Sequence, residues 1–222
     1  MEWEEKIVNL KLILGRLLAS NSLPPETYLA GGTALYFQLH HRLSVDLDFF
    51  VPLPFLSENI VAKLRTLFKE VDVEILEKES LIVFLSEYKI KVSLFHLPYP
   101  LLSLKSHLEI QERITCPVAS LDDLEAMKAL ALVQRGTAKD FIDLFFILQK
   151  NSDRFEDVSR KVRMKYGVGA EYDYHLKTSF IYFDDAEAQL QEIRLVDASG
   201  KIRPMSKTEW DDIKSFFTRM IR

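Results

Sequence analysis

Asp46 and Asp48 are separated by a single residue in Val45-Asp46-Leu47-Asp48-Phe49-Phe50, where acidic and apolar side chains alternate. A period of two places both carboxylates on one face of a strand while the apolar residues enter the core. Like charges on one face repel unless a cation or a proton sits between them, so the pair reads as a metal site. Upstream, Gly31-Gly32-Thr33 stands between a short apolar run, Tyr28 to Ala30, and a helical stretch. Two glycines let a backbone approach a ligand closely, and the start of the following helix offers N–H groups to a phosphate. Each feature has a plain alternative, a structural turn for the glycines and two solvated aspartates on an edge strand for the pair. Together they describe a metal site beside a turn that can meet a phosphate.

The elements that must position these residues follow from periodicity. Ile7, Leu10, Ile13, Leu14, Leu17 and Leu18 make an opening amphipathic helix that ends before Pro24-Pro25. Tyr28 to Ala30 is a strand, and Thr33 to His40 a helix with Thr33 as its side-chain cap. The acidic strand is ended by Pro52 and Pro54, and Ser57-Glu58 opens a helix to about Lys69. Strands at Val71 to Leu76, Leu81 to Leu85 and Lys89 to Phe95 have links short enough for antiparallel hairpins. From Leu101 the chain reads as mostly helical. Ser120 with Asp123 and Thr137 with Asp140 mark two helix starts, Gly136 is a stop between them, and further helices fall near 154–166 and 208–221. The expectation is an α/β (α+β) fold, with a mixed-sheet core over residues 1–100 and a helical domain over 101–222 packed on it.

Composition removes several function classes. With 48% hydrophobic and 28% charged residues the chain can build a core. One cysteine, Cys116, excludes an intrachain disulfide and tetrathiolate zinc, and it has no nearby base to make it a nucleophile. The acidic N-terminus does not have the layout of a signal peptide, and no apolar run is long enough to span a bilayer, so a soluble, cytoplasmic protein with no membrane partner is expected. A net charge of -4 gives no general attraction for polyanions. Arg160, Lys161, Arg163 and Lys165 are the one local candidate for a phosphate-facing patch, the alternative being the solvated face of a helix. His40 and His41 read as surface residues at a helix end, and His96, His107 and His175 lack a companion at ligand spacing.

The stretches Gly31-Gly32-Thr33-Ala34-Leu35 and His41-Arg42-Leu43-Ser44-Val45-Asp46-Leu47-Asp48-Phe49-Phe50 resemble the signature of the abortive-infection AbiEii/AbiGii-type toxin family, within the DNA polymerase β-like nucleotidyltransferase superfamily. The resemblance continues through Lys128-Ala129-Leu130, Arg135 and Lys139-Asp140-Phe141-Ile142-Asp143-Leu144 to the helix of Trp210. It implies a nucleotidyltransferase fold and transfer of a nucleoside monophosphate from an NTP substrate to an RNA acceptor, such as a tRNA end, or to a protein. It also implies a toxin-antitoxin or phage-defence role with a cognate antitoxin partner. In its terms Asp46 and Asp48 hold Mg2+ or Mn2+ as catalytic ligands, Gly31, Gly32 and Thr33 face the triphosphate, and Lys128 binds phosphate. Arg42 and Ser44 orient Asp46 or the phosphates, and Lys139, Asp140 and Asp143 are site residues on a helical face opposite Phe141, Phe145 and Leu148.

The chain departs from the superfamily pattern at one position. A third carboxylate normally comes from a neighbouring strand, and in Lys89-Ile90-Lys91-Val92-Ser93-Leu94-Phe95 that place falls to Ser93. A neutral hydroxyl is a poor ligand for a hard divalent ion. Asp72 or Glu74 are the substitutes within reach of an adjacent strand. Two other readings stay open: a degenerate fold that binds nucleotide or a partner without catalysis, and a plain interaction protein.

Overall fold

The computed structural model describes residues 2–222; Met1, where the expected first domain begins, lies outside them. The chain forms two compact units. Among the described residues the first comprises 2–34, 44–100 and 104–119, and the second comprises 35–43, 101–103 and 120–222. The boundary therefore does not run at residue 100, because residues 104–119 belong with the sheet and residues 35–43 with the helices.

In the first unit seven strands form one mixed sheet. They are β1 (Tyr28–Ala30), β2 (Leu47–Val51), β3 (Val71–Glu77), β4 (Ser80–Leu85), β5 (Ile90–His96), β6 (Ser106–Gln111) and β7 (Ile114–Val118), in the order β3-β4-β5-β2-β1-β7-β6. β1 runs antiparallel to β2 and parallel to β7, while β2 and β5 are parallel. The hairpins β3-β4 and β4-β5 are antiparallel, as their short links require. Leu10, Ile13, Leu14 and Leu17 bury one face of helix α1 (Glu2–Ala19). The pair β6-β7 falls in a stretch expected to be helical. Only Ile110, Cys116 and Val118 of that hairpin are buried, too few to imprint a clear alternation on the sequence.

Helix α2 (Gly31–Leu39) begins in the first unit and ends in the second. In the first unit, helix α3 (Ser57–Leu67) packs on β3. The second unit is built from α4 (Leu121–Gln134), α5 (Ala138–Asn151), α6 (Phe155–Tyr166), α7 (Tyr172–Phe180), the one-turn α8 (Asp184–Glu187) and α9 (Lys207–Ile221), with a small hairpin of β8 (Arg194–Val196) and β9 (Ile202–Pro204). Ser120 and Thr137 cap α4 and α5 by accepting from the Asp123 and Asp140 amides. An aromatic cluster around Phe141, with Trp210 and Phe217 at edge-on angles, forms the core. Among the described residues no helix is long and apolar enough to cross a membrane.

Candidate active site

Asp46 stands just ahead of β2 and Asp48 lies within it. Leu47, Phe49 and Val51 are buried while Asp46, Asp48 and Phe50 are half-buried, so the two carboxylates share the less buried face. Asp48 is in register with Ala30 of β1 and with Ser93 of β5, which puts Ser93, itself buried, on the same face. Gly31 opens α2 at φ 68°, a left-handed conformation that disfavours any side chain, and a Cβ there would stand 2.7 Å from Asp48 Oδ2. The glycine thus leaves its side-chain volume to the Asp48 carboxylate. Gly32 is buried in the first turn of the helix.

Thr33 is not the helix cap. The left-handed Gly31 starts the helix two residues earlier, and Thr33 lies inside it, fully buried. Its Oγ1 donates to the backbone carbonyl of Asp46 and stands 3.1 Å from Ser44 Oγ. The hydroxyl is therefore committed to the segment that carries the carboxylates. Asp72 and Glu74 do not supply a third ligand: β4 and β5 separate β3 from β2, roughly 14 Å at ordinary strand spacing, and Asp72 accepts from Ser86. The side chain that does approach is Lys91, whose Nζ lies 3.7 Å from Asp46 Oδ2.

In the second unit Arg42, Lys128, Asp140 and Asp143 come together, with a member that the sequence reading placed on the surface. His41 is 3% exposed, and its Nε2 lies 2.6 Å from Asp143 Oδ1. Arg42 grips the same carboxylate in bidentate fashion, through Nε at 2.6 Å and Nη2 at 2.7 Å. Lys128 bridges the two acids, 2.9 Å from Asp140 Oδ1 and 2.8 Å from Asp143 Oδ2. Arg135 and Thr137 complete the shell of Asp140. Burial raises the Asp143 pKa, but Arg42 and Lys128 outweigh it and hold the carboxyl well below the usual range. Burial, joined by the Arg42 and Lys128 charges, lowers the His41 pKa against the upward pull of Asp143. Lys139 is exposed whereas Asp140 and Asp143 are buried against Lys128, and Phe141 is buried against Trp210 and Phe217, so α5 is covered on most of its circumference. No local signal marks His41, because its partner is 102 residues away.

The basic run of α6 fits neither of its expected readings. Lys161 and Lys165 point inward. Lys161 meets Asp122 at 2.6 Å, Glu125 at 2.9 Å and also Asp153, while Lys165 meets Asp123 at 2.7 Å. Arg160 and Arg163 pair with Asp157 and Asp173. Asp122, Glu125 and Asp153 are close enough to hold a metal, yet the Lys161 ammonium already sits among them. Burial pushes the Cys116 thiol up to about 12, which leaves it unreactive.

Residues 12–220 match the family model described as nucleotidyl transferase AbiEii toxin, type IV toxin-antitoxin system. An uncharacterized protein of Aquifex aeolicus (strain VF5) is 34% identical over 205 residues, covering 89% of this chain and 87% of that one. The nucleotidyltransferase toxin MenT4 of Mycobacterium tuberculosis H37Rv superposes with a TM-score of 0.56 at 17% identity, over 100% of this chain and 85% of that one. A candidate nucleotidyltransferase from H. pylori does so with a TM-score of 0.58 at 15% identity, over 96% and 93%. At these identities the two structures speak for the fold.

Proposed function

Since the chain belongs to the AbiEii nucleotidyltransferase toxin family, we propose that it transfers a nucleoside monophosphate from an NTP to a hydroxyl of an RNA or protein acceptor. The acceptor oxygen bonds to the α-phosphorus, the bond from that phosphorus to the bridging oxygen breaks, and pyrophosphate leaves with the electron pair while the acceptor's proton is released. The observation that carries the reading is the pair Asp46 and Asp48 on one sheet face, with Asp48 against Gly31 and the Asp46 backbone tied to Thr33. Two neighbouring carboxylates are the hard-oxygen donors that Mg2+ or Mn2+ takes, so these residues fit a divalent ion. Bound there, the ion would neutralise phosphate charge as the α-phosphorus is attacked.

Within this reading Gly31 and Thr33 fix the two carboxylates, and the backbone at Gly32 is offered to the triphosphate. Ser44 stands beside Thr33 at the entry to the acidic segment. The family resemblance alone carries Lys128 as a phosphate-binding cation; within the second unit its ammonium is held by Asp140 and Asp143, and Asp143 by Arg42. Lys139, being exposed, contributes only as a surface charge. A toxin of this family works beside a cognate antitoxin, in the cytoplasm where NTPs are. The degenerate reading, nucleotide binding without transfer, is favoured by one observation: Ser93, buried and neutral, at the place of the third carboxylate.

The test is Mg2+-dependent labelling of RNA and protein acceptors by each of the four α-labelled NTPs. Wild type should transfer label, and Asp46→Ala or Asp48→Ala should lose at least about a hundredfold of the rate with an unchanged melting temperature. Nucleotide binding without transfer from any NTP would select the degenerate reading instead.

A further inference from the structure

Ser93 removes a negative charge from the sheet face that carries Asp46 and Asp48, and two residues earlier on β5 the chain places a positive one. Lys91 and Ser93 share a face because they are two apart on a strand. Ser93 is in register with Asp48, and Lys91 Nζ lies 3.7 Å from Asp46 Oδ2. The ammonium is not locked in place: its side chain is 39% exposed, that of Asp46 is 46% exposed, and an ion pair of this exposure costs little to break. Lysine is a compact charge on a flexible stem with three donors, suited to following a phosphate oxygen.

We propose that this is a one-ion site, in which Asp46 and Asp48 hold a single divalent cation and Lys91 supplies, at the nucleotide's phosphates, the positive charge that a second ion supplies elsewhere. Without ligand, Lys91 balances Asp46. When an ion and a nucleotide arrive, the ion takes over that balance and the ammonium, left beside them, turns to the phosphate oxygens. A third carboxylate would favour a second cation electrostatically, whereas Lys91 repels one, so the lysine and the serine act in the same direction. The inference rests on the nucleotidyltransferase reading.

The experiment counts Mn2+ bound per chain by equilibrium titration in the presence of non-hydrolysable NTP analogues, and measures analogue affinity by calorimetry. Wild type is expected to bind one ion. Lys91→Met should keep the ion and lose on the order of tenfold in analogue affinity, as for loss of one charge-assisted hydrogen bond, while Lys91→Arg should largely retain it. The double variant Lys91→Met with Ser93→Asp should take up a second ion. Two ions in wild type, or unchanged affinity in Lys91→Met, would overturn the inference and leave the parent reading standing. Wild type that binds neither ion nor analogue overturns both. Half-exposed Lys91 makes misfolding of its variants easy to exclude by circular dichroism.

Discussion

A methyl group on Gly31 would do two kinds of damage. The backbone at φ 68° disfavours any Cβ, and that Cβ would press on the Asp48 carboxylate at 2.7 Å. Gly31→Ala should therefore destabilise the chain by about 1–3 kcal/mol, and it should weaken Mn2+ binding further than that loss explains, because Asp48 is the atom group that must move. Chemical denaturation gives the first quantity and ion titration at a temperature where the variant is folded gives the second. A variant that is destabilised yet binds Mn2+ normally would show that Gly31 serves the turn alone. Thr33 belongs to the same logic. Its hydroxyl was expected at the phosphates, but a buried backbone carbonyl without a donor is costly, and the Asp46 carbonyl has claimed it.

Helices α4 and α6 meet through charges rather than through apolar packing alone. Glu125 is fully buried, accepts from Lys161 and from Asn151 at 2.9 Å, and has an oxygen, Oε1, without a partner. Burial pushes its pKa up from 4.5 to about 7, against the pull of Lys161. A carboxyl whose folded pKa is raised binds its proton more tightly in the folded state. Its contribution to stability is complete below pH 4.5 and is lost as the pH rises through about 7, a loss of at most about 3 kcal/mol. Glu125→Gln keeps an acceptor for Lys161 and Asn151 and should flatten the stability profile across that window. A variant with the same pH dependence as wild type would place the titration elsewhere. Elements of this kind were only partly legible. Ser120 and Thr137 announced α4 and α5 because capping is local chemistry, and the alternation around Asp46 announced its strand. β6 and β7 were hidden because β6 lies at the sheet edge with little to bury, and because Pro117 argues against the strand it occupies. The cluster of His41, Arg42, Lys128 and Asp143 was legible as residues but not as a contact, since a carboxylate about a hundred residues away decides that a histidine at a helix end is buried.

Across the whole molecule 29 basic and 33 acidic side chains leave a net charge of -4, and the arrangement of the basic ones limits how the protein can hold a polyanion. The densest basic run, on α6, is spent internally: Lys161 and Lys165 are buried on acids of α4, and Arg160 and Arg163 face Asp157 and Asp173. Counterion release scales with the number of phosphates neutralised, so an RNA acceptor that found no more than about three cations would give a slope of log affinity on log salt shallower than about -2 for a single strand. Between about 50 and 200 mM salt its affinity should then fall by less than about twentyfold, against the thousandfold or more that six to ten duplex contacts cost. Fluorescence anisotropy with a labelled single-stranded RNA over that range measures the slope. A slope steeper than about -4 would mean that an extended basic track, absent from α6, carries the acceptor. A shallow slope with efficient labelling would mean that the acceptor is selected at the reacting end, by the site that holds the nucleotide.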